Sequence, residues 1–185
     1  GLKQLTREER EKLDRRIRKV ALAISVAEVD AETIDRVNIY QATRIAMLAA
    51  VQGLSLVPDH LLIDAMRLDH PCAQTKLFYG DALSLSIAAA SVIAKVHRDQ
   101  LMRELDTQHP GYGFASHKGY GTPEHRRSLA TLGPCALHRR TFAPVRAVIT
   151  GEPEPIGFLF DDPLANELLM EDVLLEDCEL EAAAH

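Results

Sequence analysis

The chain has 185 residues, 46% of them apolar, and a formal charge of −6. Length and apolar content suffice for one buried core, which excludes wholesale disorder, and no run of about 18 apolar residues offers a helical membrane span. Cys72, Cys135 and Cys178 are too few and too scattered for a disulfide scaffold and fit a reduced, cytoplasmic setting.

The net charge conceals an asymmetry. All 21 Lys and Arg lie between Gly1 and Arg146, against 16 acids, a surplus of five; from Thr150 onward there are 11 acids and no Lys or Arg. A basic body followed by an acidic tail often accompanies nucleic-acid proteins. The expected division is a domain over residues 1–149 and an acidic tail over 150–185, either disordered or partly helical as an acidic amphipathic helix.

In chain order, Leu2 to Lys19 is densely charged, unlike a signal peptide. Thr6-Arg7-Glu8-Glu9 is a capping box, and Leu13, Ile17, Val20 and Ile24 follow at helical spacing. Ala23 to Val29 alternates and reads as a short strand. Asp30 caps a brief turn, and Asn38 starts a helix stopped by Gly53. His60 to Asp64 reads as a buried strand and Gln74 to Tyr79 as another. A long helix starts at Ser84 or Ser86, runs to about Gln108 and ends before Pro110. Thr122-Pro123 opens a last helix, closed by Gly133-Pro134. Strands alternating with helices indicate an α/β sheet.

The candidate chemistry gathers around two acids. Asp64 ends the apolar run Leu61-Leu62-Ile63, at the strand end where open α/β sheets place ligands; the plainer alternative is a carboxylate entering a solvated loop. Asp99 shares a helical stripe with Lys95 and Ser91; the plainer alternative is a surface pair with Lys95 or Arg103. The run Ala88-Ala89-Ala90 allows close helix–sheet approach. Gly111-Tyr112-Gly113-Phe114 and His117-Lys118-Gly119-Tyr120-Gly121-Thr122 combine turns, aromatics and a base suited to sugars, bases and phosphates. His138-Arg139-Arg140 adds phosphate donors. His70 and Cys72 with Cys135 and His138 make a weak zinc pattern.

These stretches, from about Lys3 to Val145, closely resemble type 2 ribonuclease H (bacterial ribonuclease HII). The resemblance is carried by Ile34-Asp35-Arg36-Val37-Asn38-Ile39, Leu62-Ile63-Asp64, Gly80-Asp81, Ala89 through Asp99, Tyr112-Gly113-Phe114, His117 through Thr122 and His138 through Val145. It implies a ribonuclease H-like mixed sheet flanked by helices. It also implies an endonuclease cutting the RNA strand of RNA–DNA hybrids, including ribonucleotides embedded in duplex DNA. In the family, four carboxylates hold two ions, Mg²⁺ or Mn²⁺; by resemblance Asp64 is the third and Asp99 the fourth. Tyr120 resembles the tyrosine that packs on the sugar beside the ribonucleotide. Lys3 resembles a lysine near substrate phosphates, and Lys118, Arg139 and Arg140 complete the expected substrate contacts.

The family's Asp-Glu-x-Gly-Arg-Gly segment, source of the first two carboxylates, occurs nowhere in these 185 residues. The expectations are therefore missing N-terminal strands, apolar surface left uncovered near Leu61 to Ile63, and little metal-dependent cleavage by this chain alone. A hybrid-binding module without turnover is the alternative. A monomer is expected, with no membrane partner and with a protein partner for the acidic tail.

Overall fold

The computed structural model describes residues 5–153, so Lys3, Cys178 and most of the acidic tail lie outside the described residues. They form two compact units interleaved in sequence. The first takes in residues up to Glu28, Arg44–His109 and Phe114–Lys118; the second takes in Val29–Thr43, Pro110–Gly113 and the residues from Gly119 on.

The first unit opens with α1 (Arg7–Val20), whose start the capping box fixes. The Thr6 amide donates to Glu9 Oε2 (2.7 Å) and the Glu9 amide to Thr6 Oγ1 (3.2 Å), satisfying two otherwise orphaned donors. The stretch 23–29 forms no strand, because no neighbouring chain among the described residues supplies a ladder. Strands β1 (His60–Asp64) and β2 (Ala73–Leu77) pair in parallel, with His60 opposite Ala73 and Asp64 opposite Leu77. Parallel neighbours usually need a long crossover. Here the short 65–72 connection suffices, because Gln74 clamps it. The Gln74 side chain accepts the Leu68 amide (2.9 Å) and donates to the Leu68 (2.8 Å) and His70 (3.1 Å) carbonyls, while Met66 and Leu68 are buried.

Burial alternates along β1. Leu61 and Ile63 are buried and Leu62 is 42% exposed, so the apolar run covers one face rather than two. Each buried side chain contributes about 1.5–3 kcal/mol. Two helices follow, α4 (Gly80–Leu83) and α5 (Leu85–Gln108), both packed against β1. The Ser84 hydroxyl caps α5 by accepting the Ile87 amide, and Ile87, Val92, Ile93 and Met102 form its buried stripe. A single turn, α6 (Phe114–His117), packs on α5 and buries Phe114, which is therefore a core anchor and not a stacking platform.

The second unit contains α2 (Ala31–Val37), capped by Asp30. The first turn of α3 (Ile39–Gln52) buries Tyr40 and Ala42. Asn38, at φ +74°, caps that turn by accepting the Gln41 amide. Helices α7 (Pro123–Leu132) and α8 (Ala143–Thr150) pack together, and Leu129 and Val145 are wholly enclosed. Leu129→Ala is expected to destabilise the second unit by about 2–5 kcal/mol, the cost of lost burial plus a cavity. Urea unfolding followed by circular dichroism checks this; a loss under about 0.5 kcal/mol would contradict the packing.

Among the described residues the architecture is thus α/β, with a small parallel sheet flanked by helices in the first unit. No helix there is long and apolar enough to cross a membrane.

Candidate active site

Asp64 is the last residue of β1, so the strand delivers its carboxylate to the sheet's carboxyl end. Oδ1 accepts the Gly80 amide at 2.9 Å. A side chain would crowd this approach: a Cβ at position 80 would lie 2.6 Å from Ile87 Cδ1 and 3.2 Å from Asp64 Oδ1. The residues beside this contact are held in left-handed backbone, Ala65 at φ +58° and Tyr79 at φ +57°. For non-glycine residues this conformation costs about 1–3 kcal/mol and survives only where the surroundings fix it. The Ala65 amide continues the ladder to the Leu77 carbonyl (2.9 Å). Asp81 follows Gly80 directly in the first turn of α4. The backbone therefore places position 81, to which the sequence assigns no role, beside the end of β1.

Asp99 is elsewhere. Ile87, which touches the Gly80 position, is more than three turns back along α5, about 18 Å at 1.5 Å of rise per residue. The Asp99 carboxylate is buried and engaged. Lys95 Nζ donates to Oδ1 (2.8 Å) and Arg10 donates to Oδ2 (3.4 Å). No described contact joins the Asp99 carboxylate to that of Asp64, with which the sequence analysis expects it to share an ion. The plainer i,i+4 pairing with Lys95 is what forms, joined by Arg10 of α1 rather than by Arg103.

Lys118 also belongs to the first unit, at φ +53°. Its ammonium donates to the Ala115 carbonyl, and Arg98 donates to its own carbonyl at 3.0 Å. Burial pushes its pKa below the usual lysine range; Asp99 opposes this, and Arg103, Arg7 and Lys95 add to it.

The remaining candidates sit in the second unit. Tyr120 is 61% exposed. Tyr112 is an anchor instead, its hydroxyl donating to the Gly133 carbonyl at 2.8 Å. Burial, then the Cys135 thiol, raises its pKa. The Arg139 guanidinium lies over the Phe142 ring at 5.2 Å. The turn after it is organised by Asp35, which belongs to a stretch that carries the family resemblance but had no role assigned from sequence. Asp35 accepts the Arg140 amide (2.7 Å), the Thr141 amide (3.0 Å) and the Thr141 hydroxyl (2.5 Å).

Burial opposes ionisation of Asp35, but the Thr141 and Arg140 donors outweigh it, with Arg139 adding to them, and its pKa falls below the usual carboxylate value. The folded state thus prefers the ionised form. Its contribution is complete above the unfolded value of about 4 and is lost as pH falls through the lower folded value. Asp35→Asn should cost about 1–2 kcal/mol at pH 7, with the gap to the unsubstituted protein closing in acid below pH 4. Urea titrations at pH 7 and pH 3 check this, and a gap that widens in acid would contradict it.

The zinc pattern does not assemble. Among the described residues no three His, Cys, Asp or Glu are placed to hold a metal. His70 Nδ1 instead accepts the Cys72 amide (3.1 Å), and Cys72 and Cys135 are free thiols. The same finding bears on divalent ions. Asp64 offers the hard oxygen donor that Mg²⁺ or Mn²⁺ takes, but the described side chains do not complete an ion site.

The fold is that of a type 2 ribonuclease H. The ribonuclease H2 of Pyrococcus horikoshii OT3 superposes with a TM-score of 0.67 at 22% identity, covering 79% of this chain and 77% of that one. Residues 2–145 match the ribonuclease HII family model, and the chain belongs to that family. It is 57% identical over 143 residues to the ribonuclease HII of Koribacter versatilis (strain Ellin345), covering 77% of this chain and 56% of that relative. The chain thus spans little more than half the length of that curated relative.

Proposed function

We propose that the protein hydrolyses the RNA strand of RNA–DNA hybrids, including ribonucleotides embedded in duplex DNA, with Mg²⁺ or Mn²⁺ as cofactor. The observation that carries this reading is the meeting of Asp64 with the Gly80–Asp81 turn at the end of β1, in a chain of the ribonuclease HII family. Divalent ions, when bound, supply an activated water and neutralise the leaving oxygen. The chain's own part is to present the Asp64 carboxylate from the end of β1, beside the turn that begins at Gly80. Asp99 instead holds Arg10 and Lys95 in place. Substrate contacts are assigned to Lys3, Lys118, Tyr120, Arg139 and Arg140, and the 2′-hydroxyl distinguishes RNA from DNA. The setting is a reduced cytoplasm, and the acidic tail meets a protein partner.

The test is single-turnover incubation of the 185-residue protein with a duplex containing one ribonucleotide, with Mn²⁺ or Mg²⁺. Slow cutting confined to the ribonucleotide strand supports the reading. Equal cutting of an all-DNA duplex overturns it. A second reading, hybrid binding without turnover, rests on the basic stretch from Lys118 to Arg140 and the exposed Tyr120 within it. Salt-dependent retention of the hybrid with no product would select it.

A further inference from the structure

In the second unit, four hydrogen-bonding groups join the buried interior to the exposed Tyr120. The Cys135 amide donates to His138 Nδ1 (3.0 Å), His138 Nε2 lies 3.1 Å from His125 Nε2, and His125 Nδ1 lies 2.9 Å from the Tyr120 carbonyl. Chemistry fixes the direction. A carbonyl only accepts, so His125 carries its hydrogen on Nδ1 and its neutral ring offers Nε2 as acceptor. An amide only donates, so His138 Nδ1 is bare and its Nε2–H donates to His125. Each ring is then satisfied in one neutral tautomer. Both rings are buried, at 2% and 8% exposure, while the Tyr120 side chain is 61% exposed.

The chain ends on backbone, not on the phenol. The Tyr120 carbonyl also accepts the Thr122 amide (2.8 Å), and the Thr122 hydroxyl accepts the His125 amide (3.2 Å). The Arg126 guanidinium holds the Gly121 carbonyl. The tripeptide is thus tied at successive points to the first turn of α7. A glycine-rich segment left free would lose ordering entropy on every binding event.

The geometry points to His125 and His138 as positioning residues that act through Tyr120, holding its backbone so that the ring is presented, already ordered, to the sugar of a bound nucleic acid. This rests on the hybrid-nuclease reading and adds to it the source of the loop's rigidity. His138→Gln keeps an N–H where Nε2–H stands; His138→Asn keeps the polarity but stops short.

The experiment measures affinity of the 185-residue protein for a duplex containing one ribonucleotide, in both variants, alone and combined with Tyr120→Ala. His138→Asn should weaken binding about tenfold, the worth of roughly one hydrogen bond, and His138→Gln by no more than about twofold. In the Tyr120→Ala background the two should be indistinguishable, because the route of action is gone. Equal losses for Gln and Asn, or losses that persist undiminished without the Tyr120 ring, would overturn the assignment in favour of a purely structural pair. If the unsubstituted protein does not prefer this duplex to all-DNA, the nuclease reading fails first and the positioning role falls with it.

Discussion

Asp64→Asn is expected to reduce divalent-ion-dependent cleavage of a ribonucleotide-containing duplex by about 10- to 100-fold or more, while changing unfolding free energy by under about 0.5 kcal/mol. The carboxylate is exposed at a strand end, and its one described tie is the hydrogen bond from the Gly80 amide, which an asparagine oxygen can still accept. What the substitution removes is charge. A hard cation gains most from an anionic oxygen, so the loss falls on ion binding and on whatever the ion does. Single-turnover cleavage measured beside urea unfolding separates the two quantities. Full activity in Asp64→Asn would exclude the β1 end as the reacting site.

Asp99→Asn should show the opposite profile. Its carboxylate is buried between Lys95 and Arg10, whose side chains are 34% and 18% exposed. Removing one partner of a buried ion pair leaves uncompensated charge, typically a loss of 3–5 kcal/mol; with Lys95 partly hydrated, about 2–4 kcal/mol is expected here. The lesion should loosen the seam between α1 and α5. Cleavage per folded molecule, at a temperature where the variant is folded, should stay within about threefold, since no reacting group has been touched. A variant as stable as the unsubstituted protein but inactive would restore Asp99 as a ligand.

The contrast between these acids shows what could be read from sequence. Local signals were legible because their physics is local. Thr6 with Glu9, Asp30, Ser84 and Thr122 are caps whose partners lie within three residues, and all four form. Strand β1 was legible through Leu61-Leu62-Ile63, although its alternating burial was not. Helix α8 was missed because Pro144 and the β-branched Val145, Val148 and Ile149 disguise it; Pro is tolerated in a first turn, and packing against α7 overrides weak propensity. The turns α4 and α6 are too short to show periodicity.

The candidate site was legible in part. Asp64 was singled out from its strand position, and it does end β1. A companion acid was sought on the long helix by stripe; the described tie to the Asp64 carboxylate comes instead from Gly80, where absence of a side chain leaves room for a backbone donor. The His125–His138 pair was invisible for a similar reason: α7 and the loop before Arg139 meet only in three dimensions, within the second unit.

Titration of Mn²⁺ into the 185-residue protein, followed by loss of the free-ion paramagnetic resonance signal, tests the central assignment without relying on turnover. The account predicts uptake that Asp64→Asn weakens by about 10- to 100-fold and that Asp99→Asn leaves nearly unchanged. Uptake abolished by Asp99→Asn and indifferent to Asp64→Asn would contradict it.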